Sequence, residues 1–342
     1  MKTAGIVIGG GAFGTALASI LAKSVDQVVI KVRSDDVYEA INSGENGVYL
    51  PGLTLPENIS AAKDWDELDK KLEGHDKKLI ISGLPAAAIG DYFKENKDYF
   101  VKMFKQGIPL VSLSKGIDPV TLELSDDLFY DLFNDYKDQI MFLSGPSFAK
   151  EIIQEQITLV TLAGRHKGHL EDVSNLLECS YFKALPSYDV KGVLLGGALK
   201  NVLAIAGGIV EGLGFNHNTR AAMITRGIAE MLRFGKVFNA RPETFYGLSG
   251  MGDLILTTTG ELSRNKTFGI EIAKGRKAKE IIASQRSVVE GYKTTMAVHL
   301  LSQKYDVRAR IFSGVYQVLY EDMEPRMVIE GLMQSPSRFE ID

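Results

Sequence analysis

The stretch GIVIGGGAFGTALASILA (residues 5–22) decides how the first half of the chain folds. It opens on a short β-branched run, crosses three glycines, and ends in an alanine- and leucine-rich segment with helical spacing. Gly9, Gly11 and Gly14 fit the pattern G-x-G-x-x-G. The pattern is weak alone, but here it follows a predicted strand and opens a predicted helix. Gly9 allows a tight turn, Gly11 lets the backbone approach a pyrophosphate, and Gly14 lets helix and strand pack closely. The helix N-terminus then faces the negative charge. The same run lacks charge from Ala4 to Ala22 and follows Lys2, as a leader or a membrane span would. Its five glycines, at this spacing, argue for the dinucleotide turn instead.

Outward from this motif, apolar strand-like runs alternate with helix-length segments. Strands are predicted at 27–32, 78–84, 109–114, 139–145 and 157–164, and helices at 12–23 and 86–104. Such alternation implies a mainly parallel sheet covered on both faces. Near Pro186 the pattern changes and strand signals nearly vanish. Helices are predicted at 218–238, 263–274, 292–304, 312–323 and 326–333. The expected architecture is therefore α/β: a Rossmann-type, doubly wound, mainly parallel sheet over 1–187, then an all-α domain over 188–342.

Composition bounds the rest. The 342 residues are 45% hydrophobic and 24% charged, with a net charge of -4, which gives no sign of a nucleic-acid partner. A single cysteine, Cys179, forms no internal disulfide and no cysteine-based zinc site. A reducing, cytoplasmic setting and no metal are expected.

Cofactor choice turns on the second strand. An NAD-specific site usually ends this strand with an acid that accepts from the ribose hydroxyl. Here the strand runs into Lys31-Val32-Arg33, with Asp35 and Asp36 only afterwards. Arg33 suits a 2′-phosphate, which favours NADP with NAD as a second possibility. The plain alternative is a solvated arginine at a strand end.

Ligands of such sheets sit beyond the carboxyl ends of the strands. Lys115 falls there, between an apolar strand and a glycine. Gly145 and Ser147 follow another strand. In the helical half, VLLGGALKNVLAIAGGIVEGLG (residues 193–214) places Lys200 and Asn201 inside an apolar helix. A buried ammonium is unfavourable unless paired or deprotonated. Gly196, Gly197, Ala204 and Gly207 share the face of Lys200, and leave room either for a ligand or for close helix packing. The Lys-Asn pair interrupts what would otherwise read as a membrane span. Asp253 lies in a glycine-rich apolar segment and is a candidate counter-charge for Lys200. Ser263 reads as a helix N-cap, with Arg264 and Asn265 in the first turn, a natural phosphate site.

Taken together and in order, these segments resemble bacterial NAD(P)-dependent glycerol-3-phosphate dehydrogenases over nearly the whole chain. The matching motifs include GGGAFGTALA, YLPG (residues 49–52), LSKGI around Lys115 and SGPSFAKE around Ser147. GGALKNVLAIAGGI, NTRAAMITRGIAEM, GLSGMGDLILTTTG, SRN and VVEG (residues 288–291) follow. The resemblance implies hydride transfer between NAD(P)H and dihydroxyacetone phosphate, giving sn-glycerol 3-phosphate for phospholipid synthesis, in a homodimer without membrane insertion. It implies that Lys200 is the general acid/base, that Lys115 contacts substrate and cofactor, and that Asn201 and Asp253 order Lys200 and the substrate hydroxyls. Thr257 would lie close by, with Gly145 and Ser147 lining the substrate site. Ser263, Arg264 and Asn265 would hold the phosphate. Ala12, Phe13, Arg33, Ala149, Arg264 and Glu290 would complete the cofactor site with the glycines. Two departures stand out. Ala12-Phe13 replaces a common Ser-Trp or Ser-Phe, removing a hydroxyl contact to the pyrophosphate. Asn216-His217 replaces a common Gly-Asp. The competing readings are another hydroxy-acid dehydrogenase of this architecture, a non-catalytic NAD(P)-binding sensor, and a membrane-anchored protein.

Overall fold

The computed structural model describes residues 2–284 and 289–334. Ten strands are present among them: β1 (Thr3–Ile8), β2 (Gln27–Lys31), β3 (Glu45–Asn46), β4 (Leu50–Thr54), β5 (Ile59–Ala62), β6 (Asp76–Ser82), β7 (Leu110–Ser112), β8 (Ile140–Ser144), β9 (Thr158–Ala163) and β10 (Phe182–Ser187). β3 and β4 form a small hairpin. The other eight form one sheet in the order β10-β9-β8-β7-β6-β1-β2-β5. From β5 to β8 every pairing is parallel. β9 pairs antiparallel with β8, and β10 parallel with β9. The sheet is mainly parallel, as the alternating pattern implies, and each face carries its own apolar core.

The chain winds from β1 through β2 to β5 on one side, and from β6 to β8 on the other. The switch point therefore lies between β1 and β6, where open α/β sheets take their ligands. Gly9 and Gly83 sit there, held by Gly9 N–H to the Lys31 carbonyl and Gly83 N–H to the Ile8 carbonyl.

Sequence patterning overlooked β5, β10 and the β3–β4 hairpin. β5 has only four residues. β10 contains Pro186, which its place at the sheet edge tolerates. The helix predicted over 86–104 is two helices, Ala86–Glu95 and Lys97–Lys105. They break at Asn96, whose amide donates to the Tyr92 carbonyl at 2.8 Å and accepts from Trp65 Nε1 at 2.7 Å. Such local bonds compete with the helical ladder. The helix predicted to start at Asn218 begins one residue earlier, at His217, and its N-cap Asn216 makes no side-chain cap bond.

After β10 ends at Ser187, the chain enters a 23-residue helix, Val190–Gly212, capped by Asp189 accepting from Gly192 N–H at 3.0 Å. This helix is long and apolar enough to cross a membrane, yet its most apolar stretch is entirely buried within the protein. Helices Arg264–Ala273, His217–Val237, Asp253–Thr259 and Glu290–Lys304 pack around it. Lys191, on its first turn, bonds both Asp126 and Asp127 on the Ser125–Leu132 helix, tying the helical half to the sheet half.

Candidate active site

Lys200 sits mid-way along the Val190–Gly212 helix and is buried. Its Nζ donates to Asp253 Oδ1 at 2.9 Å. Asp253 is the first residue of the Asp253–Thr259 helix, entered directly from a π-helical turn at Leu248–Gly252. A carboxylate in a first turn is favoured by the helix dipole. Lys115, in the loop after β7, donates to Asp253 Oδ2 at 2.8 Å and to the Gly145 carbonyl at 3.2 Å. One buried carboxylate thus holds two ammonium groups, one from each half of the chain.

The electrostatics follow from this arrangement. Burial, joined by Lys115, lowers the Lys200 pKa to about 8 against the pull of Asp253. Burial pushes Asp253 upward, but the two lysines outweigh it and hold its carboxyl below the usual range. With both lysines protonated the cluster keeps one surplus positive charge, suited to an anionic substrate or a developing alkoxide.

Further candidates gather around the cluster. Ser147 Oγ donates to the Gly145 carbonyl at 2.8 Å. Gly145 has φ +144°, and a Cβ there would lie 2.9 Å from Val160 Cα, so this turn requires glycine. Thr257, one helical turn beyond Asp253, donates to the Asp253 carbonyl at 2.7 Å. The Asn201 amide donates to the Lys115 carbonyl at 3.0 Å and accepts from Asn265 Nδ2 at 2.9 Å. Asn265 Oδ1 accepts from Gly291 N–H at 3.1 Å, beside Glu290. The amide chain therefore links the Lys115 loop to the start of the Glu290–Lys304 helix. Ser263 caps the Arg264–Ala273 helix, accepting from Lys266 N–H at 3.3 Å, and Arg264 is exposed at its start. Of the VVEG motif, Val288 lies outside the described residues.

The dinucleotide turn adjoins this cluster, with Lys115 Nζ 5.3 Å from the Phe13 ring centre. Gly9 has φ +97°, and a Cβ on Gly14 would lie 2.4 Å from the Gly9 carbonyl oxygen, so the fold itself requires both. Gly11 differs. Its φ is -70°, and nothing lies within 4 Å of where its Cβ would be. Protein packing does not explain that glycine, whereas close approach of a pyrophosphate does, so the turn fits a dinucleotide. Ala12 opens the following helix, Arg33 is exposed just past β2, and Ala149 begins the short Ala149–Ile153 helix.

The glycines around Lys200 serve packing. A Cβ on Gly196 would lie 2.5 Å from the Ser249 carbonyl oxygen, one on Gly197 2.6 Å from Ser144 Oγ, and one on Gly207 3.3 Å from Thr258. The open space they suggested is filled by neighbouring protein. Lys266, the residue that follows Ser263-Arg264-Asn265, belongs to the same helix start. Buried Lys266 bonds Glu211 at 3.0 Å and the Thr259 carbonyl at 3.1 Å, fixing the start of that helix against the long one. A lysine in the first turn of an otherwise ordinary capped helix was the available signal.

Comparison with known proteins identifies the family. The family model for the N-terminus of NAD-dependent glycerol-3-phosphate dehydrogenase matches residues 6–169, and that for its C-terminus matches residues 189–330. A glycerol-3-phosphate dehydrogenase [NAD(P)+] of Leptospira biflexa is 42% identical over 329 residues, covering 96% of both chains. One from Myxococcus xanthus is 41% identical, covering 98% of both. The crystal structure of glycerol-3-phosphate dehydrogenase from Coxiella burnetii superimposes with a TM-score of 0.85 at 32% identity, covering 98% of this chain and 99% of that one. The chain belongs to the NAD-dependent glycerol-3-phosphate dehydrogenase family.

Proposed function

We propose that this chain interconverts dihydroxyacetone phosphate and sn-glycerol 3-phosphate with NAD(P) as cofactor, and that Lys200 is the general acid/base. The observation that carries this reading is the Lys115–Asp253–Lys200 cluster at the carboxyl edge of the sheet, beside the dinucleotide turn. Bound nicotinamide supplies the hydride in reduction and accepts it in oxidation. As the substrate carbonyl is reduced, its oxygen gains negative charge and needs a proton. Lys200 Nζ donates that proton and becomes neutral; in the reverse direction neutral Lys200 takes it back. A pKa near neutrality suits both tasks, and such catalysis typically contributes about 10²–10⁴-fold. Asp253 keeps the two ammonium groups in place, and Lys115 adds fixed positive charge where the oxyanion develops.

The remaining roles are those the family resemblance implies. Gly145, Ser147 and Thr257 line the substrate site, and Asn201 braces the Lys115 loop. Ser263, Arg264 and Asn265 hold the phosphate at a helix N-terminus. Asn265 Nδ2 retains a second proton beyond the one given to Asn201. Gly9, Gly11, Ala12, Phe13 and Gly14 hold the pyrophosphate side of the cofactor. Lys115, Ala149, Arg264 and Glu290 complete the cofactor site, and Arg33 takes the ribose 2′-phosphate of NADP. The enzyme works as a cytoplasmic homodimer supplying the glycerol phosphate backbone of phospholipids. A hydroxy-acid dehydrogenase has less use for the Ser263-Arg264-Asn265 helix start, and a sensor has no need of two lysines on one carboxylate.

The test is oxidation of NADPH, and separately of NADH, with dihydroxyacetone phosphate and with unphosphorylated dihydroxyacetone. Turnover is expected with the phosphorylated substrate and faster at low cofactor with NADPH. Arg33→Ala should raise the NADPH KM and spare that for NADH. Absence of turnover with either cofactor overturns the reading.

A further inference from the structure

Asn46 lies in β3, outside every motif discussed above, and its side chain is fully buried. Its Nδ2 donates to the Gly10 carbonyl at 2.8 Å and to Thr15 Oγ1 at 2.8 Å. Both acceptors belong to the dinucleotide turn and the helix that it opens. An exposed hairpin thus sends its buried asparagine under the turn.

The geometry of the peptide bond makes this contact consequential. In a planar trans peptide the carbonyl and the following N–H point in opposite directions. The Gly10 carbonyl is drawn inward to Asn46, so the Gly11 N–H points outward. Gly10 is buried, and a Cβ on it would lie 2.7 Å from Val32 and 2.8 Å from Val37, so its inner side is closed. Gly11 is partly exposed, and nothing lies within 4 Å of where its Cβ would be. The second bond, to Thr15, fixes the same amide against the first turn of the helix.

We propose that Asn46 is a positioning residue for the dinucleotide: by latching the Gly10 carbonyl it aims the Gly11 N–H at the pyrophosphate. The proposal rests on the reading of Gly9–Gly14 as the pyrophosphate site. The Asn46 side chain is fully buried and bonds the turn and its helix, so its effect falls on cofactor binding. Asn46→Ala removes the latch, and a buried carbonyl left unpaired lets the Gly10–Gly11 peptide rotate toward other partners. Asn46→Asp keeps the shape but cannot donate when ionised. Thr15→Val removes the second acceptor and leaves the latch.

The experiment measures equilibrium binding of NADPH to the full chain by nucleotide fluorescence, alongside steady-state kinetics and thermal melting. Asn46→Ala and Asn46→Asp are expected to weaken NADPH binding at least tenfold. Their kcat at saturating NADPH and their KM for dihydroxyacetone phosphate should stay within about threefold of wild type. Thr15→Val should bind NADPH within about threefold of wild type. A folded Asn46 variant with wild-type NADPH affinity, or one that loses kcat with affinity intact, overturns the proposal. If Asn46→Ala does not fold, Asn46→Asp decides it, and if neither folds Asn46 is a folding residue and the proposal fails. Wild-type protein that binds neither NADPH nor NADH would instead overturn the reading of the turn itself.

Discussion

Lys200 and Asp253, 53 residues apart in the chain, meet in a 2.9 Å ion pair whose side chains are only 8% and 2% exposed. A buried pair of this kind is weak evidence for stability, because removing both charges from water offsets much of their attraction. It is better evidence for function here, because a third group shares it. Burial, with Lys115 holding the other carboxylate oxygen, outweighs the pull of Asp253 and leaves Lys200 readily deprotonated.

The pH dependence follows from the lowered pKa of buried Lys200. With Lys200 as the proposed general acid, reduction of the carbonyl needs its protonated form, so kcat/KM for dihydroxyacetone phosphate should be flat at neutral pH and fall above about 8. Oxidation of glycerol 3-phosphate requires the neutral amine and should rise to a plateau above the same value. Matching rate profiles in the two directions, rather than opposed ones, would remove Lys200 from the proton transfer.

Replacing the shared carboxylate should move this profile. In Asp253→Asn, burial and Lys115 still lower the Lys200 pKa, and the strongest opposing charge is gone. The alkaline limb of the reduction profile should shift down by at least about one pH unit, since one unit reflects about 1.4 kcal/mol of interaction. Turnover at neutral pH should fall with it. A limb at its wild-type position would mean that Asp253 does not set the charge state of Lys200.

Two glycines separate folding from binding. Gly208 sits where a Cβ would lie 2.0 Å from the Lys266 carbonyl oxygen, so Gly208→Ala should destabilise by about 1–3 kcal/mol or more in a denaturant titration. Gly11 has an ordinary φ and open space, so Gly11→Ala should change stability by less than about 0.5 kcal/mol. It should nevertheless weaken NADPH binding severalfold. Equal stability losses in the two variants would contradict this division.

Arg264 tests the phosphate site. It is exposed in the first turn of the Arg264–Ala273 helix, where a helix leaves backbone N–H groups without intrahelical partners. Arg264→Ala should raise the KM for dihydroxyacetone phosphate at least tenfold and barely affect the poor rate with unphosphorylated dihydroxyacetone. A KM that does not move would place the phosphate elsewhere.

Much of this was legible in the sequence because it is local. The turn at Gly9–Gly14 carries its own spacing, and strand-helix alternation announces a parallel sheet. What escaped was set by distant partners. Pro186 masks β10 until its place at the edge of the sheet is known. Asn46 looks like any hairpin asparagine until the fold carries it under Gly10, 36 residues away. The small residues near Lys200 were legible as small but not in purpose. Ser249, Ser144 and Thr258, which fill the space beside them, come from other elements. Asp253 could be named as the counter-charge of Lys200 because a lone carboxylate in an apolar segment needs a cation; that Lys115 would share it could not.

The most direct test of the account is the turnover of Lys200→Ala with NADPH and dihydroxyacetone phosphate, measured beside its NADPH affinity. A loss of at least about a hundredfold in kcat is expected, with NADPH binding within about threefold of wild type. Near-normal turnover in this variant would contradict it.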